Sequence, residues 1–222
     1  MKNHEQRATD VNSQIKIFMS AACAGDFDAI RLQVAEGFDL NGTNQFGDTI
    51  LEYAISALEF YPEAPKHEVV GEMLRLGADP NALSQDGSSP LLAAVLNLDT
   101  EMSRLLLNAG ADPNVVRIRT DGGVESLYDC AHSAYLDDVW KGHLPEGVTP
   151  VEREDEDAWL RLLTHLAVTY GKQRPDHLQL LRERGALSTL ELCSTPQAQP
   201  RPRAVEVSHA LKNASQGPAA IR

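Results

Sequence analysis

"LGADPNALSQDGSSPLLAAV", residues 76–95, contains a pentapeptide that the chain uses twice. Gly77-Ala78-Asp79-Pro80-Asn81 returns unchanged as Gly110-Ala111-Asp112-Pro113-Asn114, 33 residues later. A fixed offset of this size marks a repeat architecture, in which each unit buries its apolar face only by stacking on the next. Outward from the pentapeptide, Gly87-Ser88-Ser89-Pro90-Leu91 and Ala94 align with Gly47-Asp48-Thr49-Ile50-Leu51 and Ala54. Ser89 and Thr49 are placed as N-caps, their hydroxyls accepting from free backbone N–H groups of the first turn. Glu52, three residues after Thr49, forms the pattern of a capping box. Pro90 falls at the first helical position, where its missing N–H costs nothing.

A second helix follows in each unit. Its apolar positions are Ile30, Leu32 and Val34 in the first unit, and Val69, Val70, Met73 and Leu74 in the second. In the third they are Met102, Leu105, Leu106 and Leu107. Gly37, Gly77 and Gly110 then stop the helix, and the Asp-x-Asn that follows is turn chemistry. The unit reads helix, turn, helix, glycine stop, extended finger.

These units resemble ankyrin repeats, with their Gly-x-Thr-Pro-Leu start, small Ala-Ala pair and Gly-Ala-Asp-x-Asn end. The first unit matches through Ala21-Ala22, Gly25 and Gly37-Phe38-Asp39-Leu40-Asn41. The resemblance implies an all-α ankyrin-repeat solenoid of about four helix-turn-helix units, at residues 13–45, 46–84, 85–120 and 121–192. Residues 1–12 are an N-terminal extension, and 193–222, rich in Pro, Gln, Ala and Ser, are expected to be a flexible tail. The 40 residues from Gly37 to Gly77 place a lengthened turn at Phe60–His67. Leu98 stands where the family has glycine between the helices, so that turn is expected to differ, and Gly71 interrupts a predicted helix.

The last unit is expanded. Glu125–Ala131 fits a first helix, yet the next glycine stop is Gly185, 75 residues after Gly110. An insertion over 136–154 has no helical period. "DAWLRLLTHLAVTYG" then places Trp159, Leu162, Leu163, Leu166, Ala167 and Tyr170 on one helical face. Pro175 opens a final outer helix, and 188–192 reads as a capping turn. One expanded repeat and two degenerate ones both fit.

Composition narrows the function. The net charge is −12, concentrated between Asp121 and Leu160, where eleven acids face two bases for a local −9. Residues 193–222 carry +3. Such a body repels nucleic acid and suits a partner protein with a basic surface. Three dispersed cysteines (Cys23, Cys130, Cys193) fit a reducing compartment. No apolar run approaches the roughly 18–20 residues of a membrane span. "IKIFMSAACAG" could pass for a signal-peptide core, but Glu5 and Asp10 precede it and the repeat reads it as a helix. A cytoplasmic monomer is expected.

Catalytic patterns are weak. His132 and His143 flank Asp137 and Asp138, but no His-x-x-x-His puts two ligands on one helical face. Cys130 occupies a small-residue helix position. The run Glu152, Glu154, Asp155, Glu156, Asp157 lacks the spacing of a calcium loop and suits the first turn of a helix, where carboxylates oppose the dipole. No cofactor, metal or catalytic activity is expected.

By resemblance, ankyrin stacks bind partners through finger tips and the concave face of their first helices. Those positions here are Gln45, Phe46, Asp48 and Ser56; Gln85, Asp86, Ser88, Leu96 and Asn97; and Asp121, His132 and Ser133. Packing on the neighbouring finger is the favoured alternative for Phe46. The insertion adds Asp137, Asp138 and Trp140, the tryptophan as anchor against the end of the concave surface and the acids steering a basic partner. The chain also resembles stand-alone bacterial ankyrin proteins, some of them immunity proteins, which implies binding and inhibiting or regulating a partner. An accessory subunit docking through the acidic insertion, and an enzyme with its site in 132–157, are the alternatives.

Overall fold

The structure, a computed structural model, describes residues 2–118, 122–146, 148 and 155–194, with side chains from Val11 onward. Ten helices and one small hairpin appear among them. In chain order they are α1 (Lys2–Ala24), α2 (Phe27–Ala35), α3 (Ile50–Leu58), α4 (Lys66–Arg75), α5 (Pro90–Leu96) and α6 (Thr100–Asn108). Then come β1 (Val116–Ile118), β2 (Val124–Ser126), α7 (Leu127–Trp140), α8 (Glu156–Thr169), α9 (Asp176–Glu183) and α10 (Thr189–Ser194).

The helices start where their caps are written. Thr49 Oγ1 accepts from the Glu52 N–H at 3.2 Å and Ser89 Oγ from the Leu92 N–H at 3.1 Å. Asp26, Asp99, Ser126 and Asp155 cap α2, α6, α7 and α8 in the same way. The capping box at Thr49 is half made, because the Glu52 carboxyl turns toward Ser84 and Ser88 of the next finger.

Pairing runs α1 with α2, α3 with α4, α5 with α6, and α7 with α9. The first members form one row, α1-α3-α5-α7, and α4-α6-α9 form a second. Helix α9 lies beside α6 and pairs with α7, and α8 precedes it and touches it.

The pentapeptide explains the stacking. Each aspartate accepts the N–H two residues on, as Asp39 does from Asn41, Asp79 from Asn81 and Asp112 from Asn114, at 2.8–2.9 Å. This turn aims each asparagine at the next unit. Asn41 donates to the Gly77 carbonyl and accepts from the Asp79 N–H. Asn81 does the same with Gly110 and Asp112, and Asn114 with Gly185 and Leu187. The ladder thus keeps its step whether 40, 33 or 75 residues separate the glycines.

The core between the rows is mostly aliphatic with a few aromatics, and Phe18, Ile30, Ile55, Met73, Met102, Leu106, Tyr128 and Tyr135 are fully buried. Ion pairs tie the outer helices: Arg31 and Arg75 hold Glu72, and Lys66 and His67 hold Asp99.

Several expectations are corrected. Leu32 is 58% exposed, and Leu74 is half-buried beside the fully buried Met73. Leu162 and Tyr170 are exposed, because α8 buries Trp159, Leu160, Leu163, Leu166 and Ala167 instead. Helix α1 passes without a break through the expected boundary at residue 12, and α7 continues to Trp140, over the first five residues of the expected insertion. The turn at Leu98 keeps the family geometry. Leu98 takes φ +53°, close to the +66° of Gly25 in the first unit, and Asp26 and Asp99 each bond back to the preceding helix. A left-handed leucine there carries strain of about 1–2 kcal/mol.

Candidate functional site

The fingers are built by short side chains that bond their own backbone. In the second unit Asn44 accepts from the Phe46 and Asp48 N–H groups and donates to the Asp48 carboxylate at 2.8 Å. In the third, Asp86 accepts from the Ser84 hydroxyl at 2.6 Å and the Ser88 N–H at 3.0 Å. The two tips are then joined, since the Gln85 N–H donates to the Gly47 carbonyl at 2.9 Å. The fourth finger is the β1–β2 hairpin, in which Val116 pairs with Ser126 and Ile118 with Val124.

On this frame Phe46 is 72% exposed, so it does not pack into the neighbouring finger. It borders a cleft of about 320 Å³ whose other walls include Asn12, Ile15, Lys16, Gln45 and Tyr53. Asn12 donates to Gln45 at 3.0 Å, which brings α1 against the finger tip. Gln45, Gln85 and Asp86 are exposed, while Asp48 and Ser88 are half-buried within their turns. Ser56, Leu96, Asn97 and Ser133 are exposed on or just after the first-row helices. Asp121 lies outside the described residues, as do Glu152 and Glu154.

Two expected contact residues are buried instead. His132 is 4% exposed and accepts a hydrogen bond from Trp159 Nε1 at 2.7 Å. Trp140 is 6% exposed and sits edge-on to Tyr170, with ring centroids 6.1 Å apart. Both serve to hold α7 against α8. Its partner Trp159 lies 27 residues after His132, so nothing local in the sequence marks that burial. Asp137 and Asp138 are exposed in the last turn of α7.

The electrostatics of the finger row are acidic. Ser84 and Ser88 hold the Asp86 carboxyl below the usual range. Burial pushes Glu52 up, and Asp86 and Asp48 add to the effect. One Glu52 oxygen, Oε2, is buried without a hydrogen-bond partner. Arg117 and Glu125 pair across the hairpin at 3.4 Å. Sequence reasoning placed Glu52 only in a capping box; its facing of the next finger depends on how the units stack.

Burial pushes the Cys130 thiol up to about 12, which keeps it protonated and unreactive. Among the described residues no group of three or more His, Cys, Asp or Glu is placed to hold a metal ion. Nor is any described helix long and apolar enough to cross a membrane.

The family model for the ankyrin repeat matches residues 86–118, the third unit. Bovine cyclin-dependent kinase 4 inhibitor B is 33% identical over 104 residues, which cover 47% of this chain and 74% of that protein. The chain belongs to the ankyrin-repeat family. As an ankyrin-repeat protein it is also similar to the putative ankyrin repeat protein YahD of Escherichia coli, 28% identical over 170 residues that cover 76% of this chain and 79% of YahD. Mouse ankyrin repeat and SOCS box protein 16 is 30% identical over 126 residues, but the chain spans only 27% of its length. Ankyrin repeats are protein-interaction modules, and that much of the function follows from membership.

Proposed function

We propose that this ankyrin-repeat protein binds and regulates a partner protein through its finger tips and the exposed face of its first-row helices, without catalysis of its own. The observation that carries this reading is the joined pair of tips, in which the bond between Gln85 and Gly47 fixes the exposed Phe46 beside Gln45, Gln85 and Asp86. A large aromatic on a rigid support loses little entropy on contact, which is what an interface anchor needs. Asp86, exposed and held ionised by Ser84 and Ser88, favours a partner with a basic surface. The name of the bovine relative is that of an inhibitor, and inhibition of the partner is the form of regulation we favour. The protein acts as a monomer in the cytoplasm on this reading.

Affinity capture from the source cells with wild-type and Phe46→Asp baits tests the proposal. A dominant protein recovered by the wild type and lost with Phe46→Asp supports it, and equal recovery contradicts it.

A second reading rests on a different observation. Asp137 and Asp138 sit in the last turn of α7, where the helix dipole disfavours carboxylates by a few tenths of a kcal/mol each at an exposed site. Acids kept against local stability suit an accessory subunit that docks a basic surface there.

A further inference from the structure

One asparagine of the ladder is followed by glycine. The ladder positions read Asn41-Gly42, Asn81-Ala82 and Asn114-Val115, and Asn41-Gly42 is the single Asn-Gly pair in the chain. The backbone does not demand that glycine. Gly42 stays outside the left-handed region, and its N–H donates to the Asp39 carbonyl at 3.2 Å. The Ala82 N–H makes the same turn, donating to the Asp79 carbonyl at 3.3 Å. A Cβ at position 42 would meet Asp39 O and Oδ2 at 3.3 Å, a tight contact that Ala82 shows the turn can hold.

What the glycine changes is the chemistry of the residue before it. An asparagine Cγ can be attacked by the next backbone nitrogen, which closes a succinimide ring. A side chain on that next residue hinders the attack, and glycine has none. Asn41 is also exposed to the water that completes the reaction. In the closed ladder its Nδ2 donates to the Gly77 carbonyl at 3.1 Å and its Oδ1 accepts from the Asp79 N–H at 2.8 Å. Both ends of the amide are thus held by the second unit, and ring closure proceeds from the opened contact. Among the described residues the first unit packs on one neighbouring unit only, and an end unit opens at the least cost.

We propose that Asn41 is a site of spontaneous deamidation that unfastens the first unit from the second. The Gly42 nitrogen gives up its proton and bonds to Asn41 Cγ. The Cγ–Nδ2 bond breaks, and the amide nitrogen leaves as ammonia with that proton. Water then opens the ring at either carbonyl, leaving aspartate or an isoaspartate whose chain runs through the side-chain carbon.

Either product alters the contact. A carboxylate has no hydrogen to donate to the Gly77 carbonyl, and it adds a negative charge beside Asp39 and Asp79. Isoaspartate also lengthens the backbone just before the Gly42 carbonyl, which accepts from the Ile50 N–H at 3.2 Å, and before the Thr43–Thr49 bridge. Those two contacts hold the base of the second finger.

The test holds the native full chain in mildly alkaline buffer and follows it by peptide mapping and mass spectrometry. Asn41 is expected to convert to the acid, faster as pH rises, while Asn81 and Asn114 keep their amides. Gly42→Ala should slow the conversion severalfold in a chain that circular dichroism shows to be folded. Converted protein, separated by charge from the unconverted, should unfold at a lower urea concentration, and Asn41→Asp should show a loss of the same sign. An amide retained at position 41 of the native chain, after an incubation that converts it in urea, would overturn the proposal. Conversion of Asn81 at an equal rate, or converted protein with an unchanged urea melt, would overturn it as well.

Discussion

Asn114 and Gly185 are 71 residues apart, yet the asparagine side chain donates to the glycine carbonyl at 3.1 Å. The contact repeats the step that Asn81 makes to Gly110, only 29 residues away. The same rung thus forms across intervals of very different length.

Asn114→Ala should cost about 0.5–1.5 kcal/mol, the net worth of a hydrogen bond at a site that water can reach, for each of the two bonds it makes. Asn81→Ala should cost a similar amount. A near-neutral Asn114→Ala beside a costly Asn81→Ala in urea melts would show that the last rung is not formed.

Leu106 is fully buried between units, so Leu106→Ala should cost about 2–5 kcal/mol. Leu32→Ala and Gln85→Ala, both at exposed positions, should stay within about 0.5 kcal/mol. Equal losses for all three would mean that the buried faces are misassigned.

Gly71 lies inside α4, and an added methyl would meet only Leu105 Cδ1 at an ordinary 3.5 Å. Gly71→Ala should therefore stabilise the fold by about 1 kcal/mol through helix propensity alone. A lower melting temperature would show that the site is tighter than the structure gives.

His177 is fully buried in α9, and burial holds its pKa down to about 4. The folded value lies below that of the unfolded chain, near 6.5. The neutral ring thus supports the fold fully above pH 6.5, and that support is lost as pH falls through 4. Glu72, held at about 2 by Arg75 and Arg31, loses its contribution only from roughly pH 4.5 downward. His177→Leu should flatten the stability curve between pH 6.5 and 4.5. An unchanged curve in that window would assign the acid sensitivity to another group.

The repeat frame was legible because its signals are local. A cap, a glycine stop and an Asp-x-Asn turn each lie within a few residues, and Ser89, Thr49, Gly77 and Asn81 do what their positions imply. Contacts between distant segments were not legible. His132 and Trp140 look like exposed positions on a first-row helix and an insertion, and only the arrival of α8 buries them. Leu32 fits the apolar period of α2, but α2 is the outer helix of the first unit and has a neighbour on one side only. The candidate surface was partly legible: finger positions follow from the repeat, whereas the Glu52 environment depends on stacking.

On the proposed function, partners bind at the finger tips. With the captured partner immobilised, association and dissociation rates should be measured for wild type, Phe46→Asp/Gln85→Lys and Asp137→Lys/Asp138→Lys at two salt concentrations. The finger variant should lose at least tenfold in affinity, with an unchanged melting curve, and the α7 variant should change less than twofold. Full affinity in the finger variant, with slowed association and a weakened salt response in the α7 variant, would contradict it and move the contact to Asp137 and Asp138.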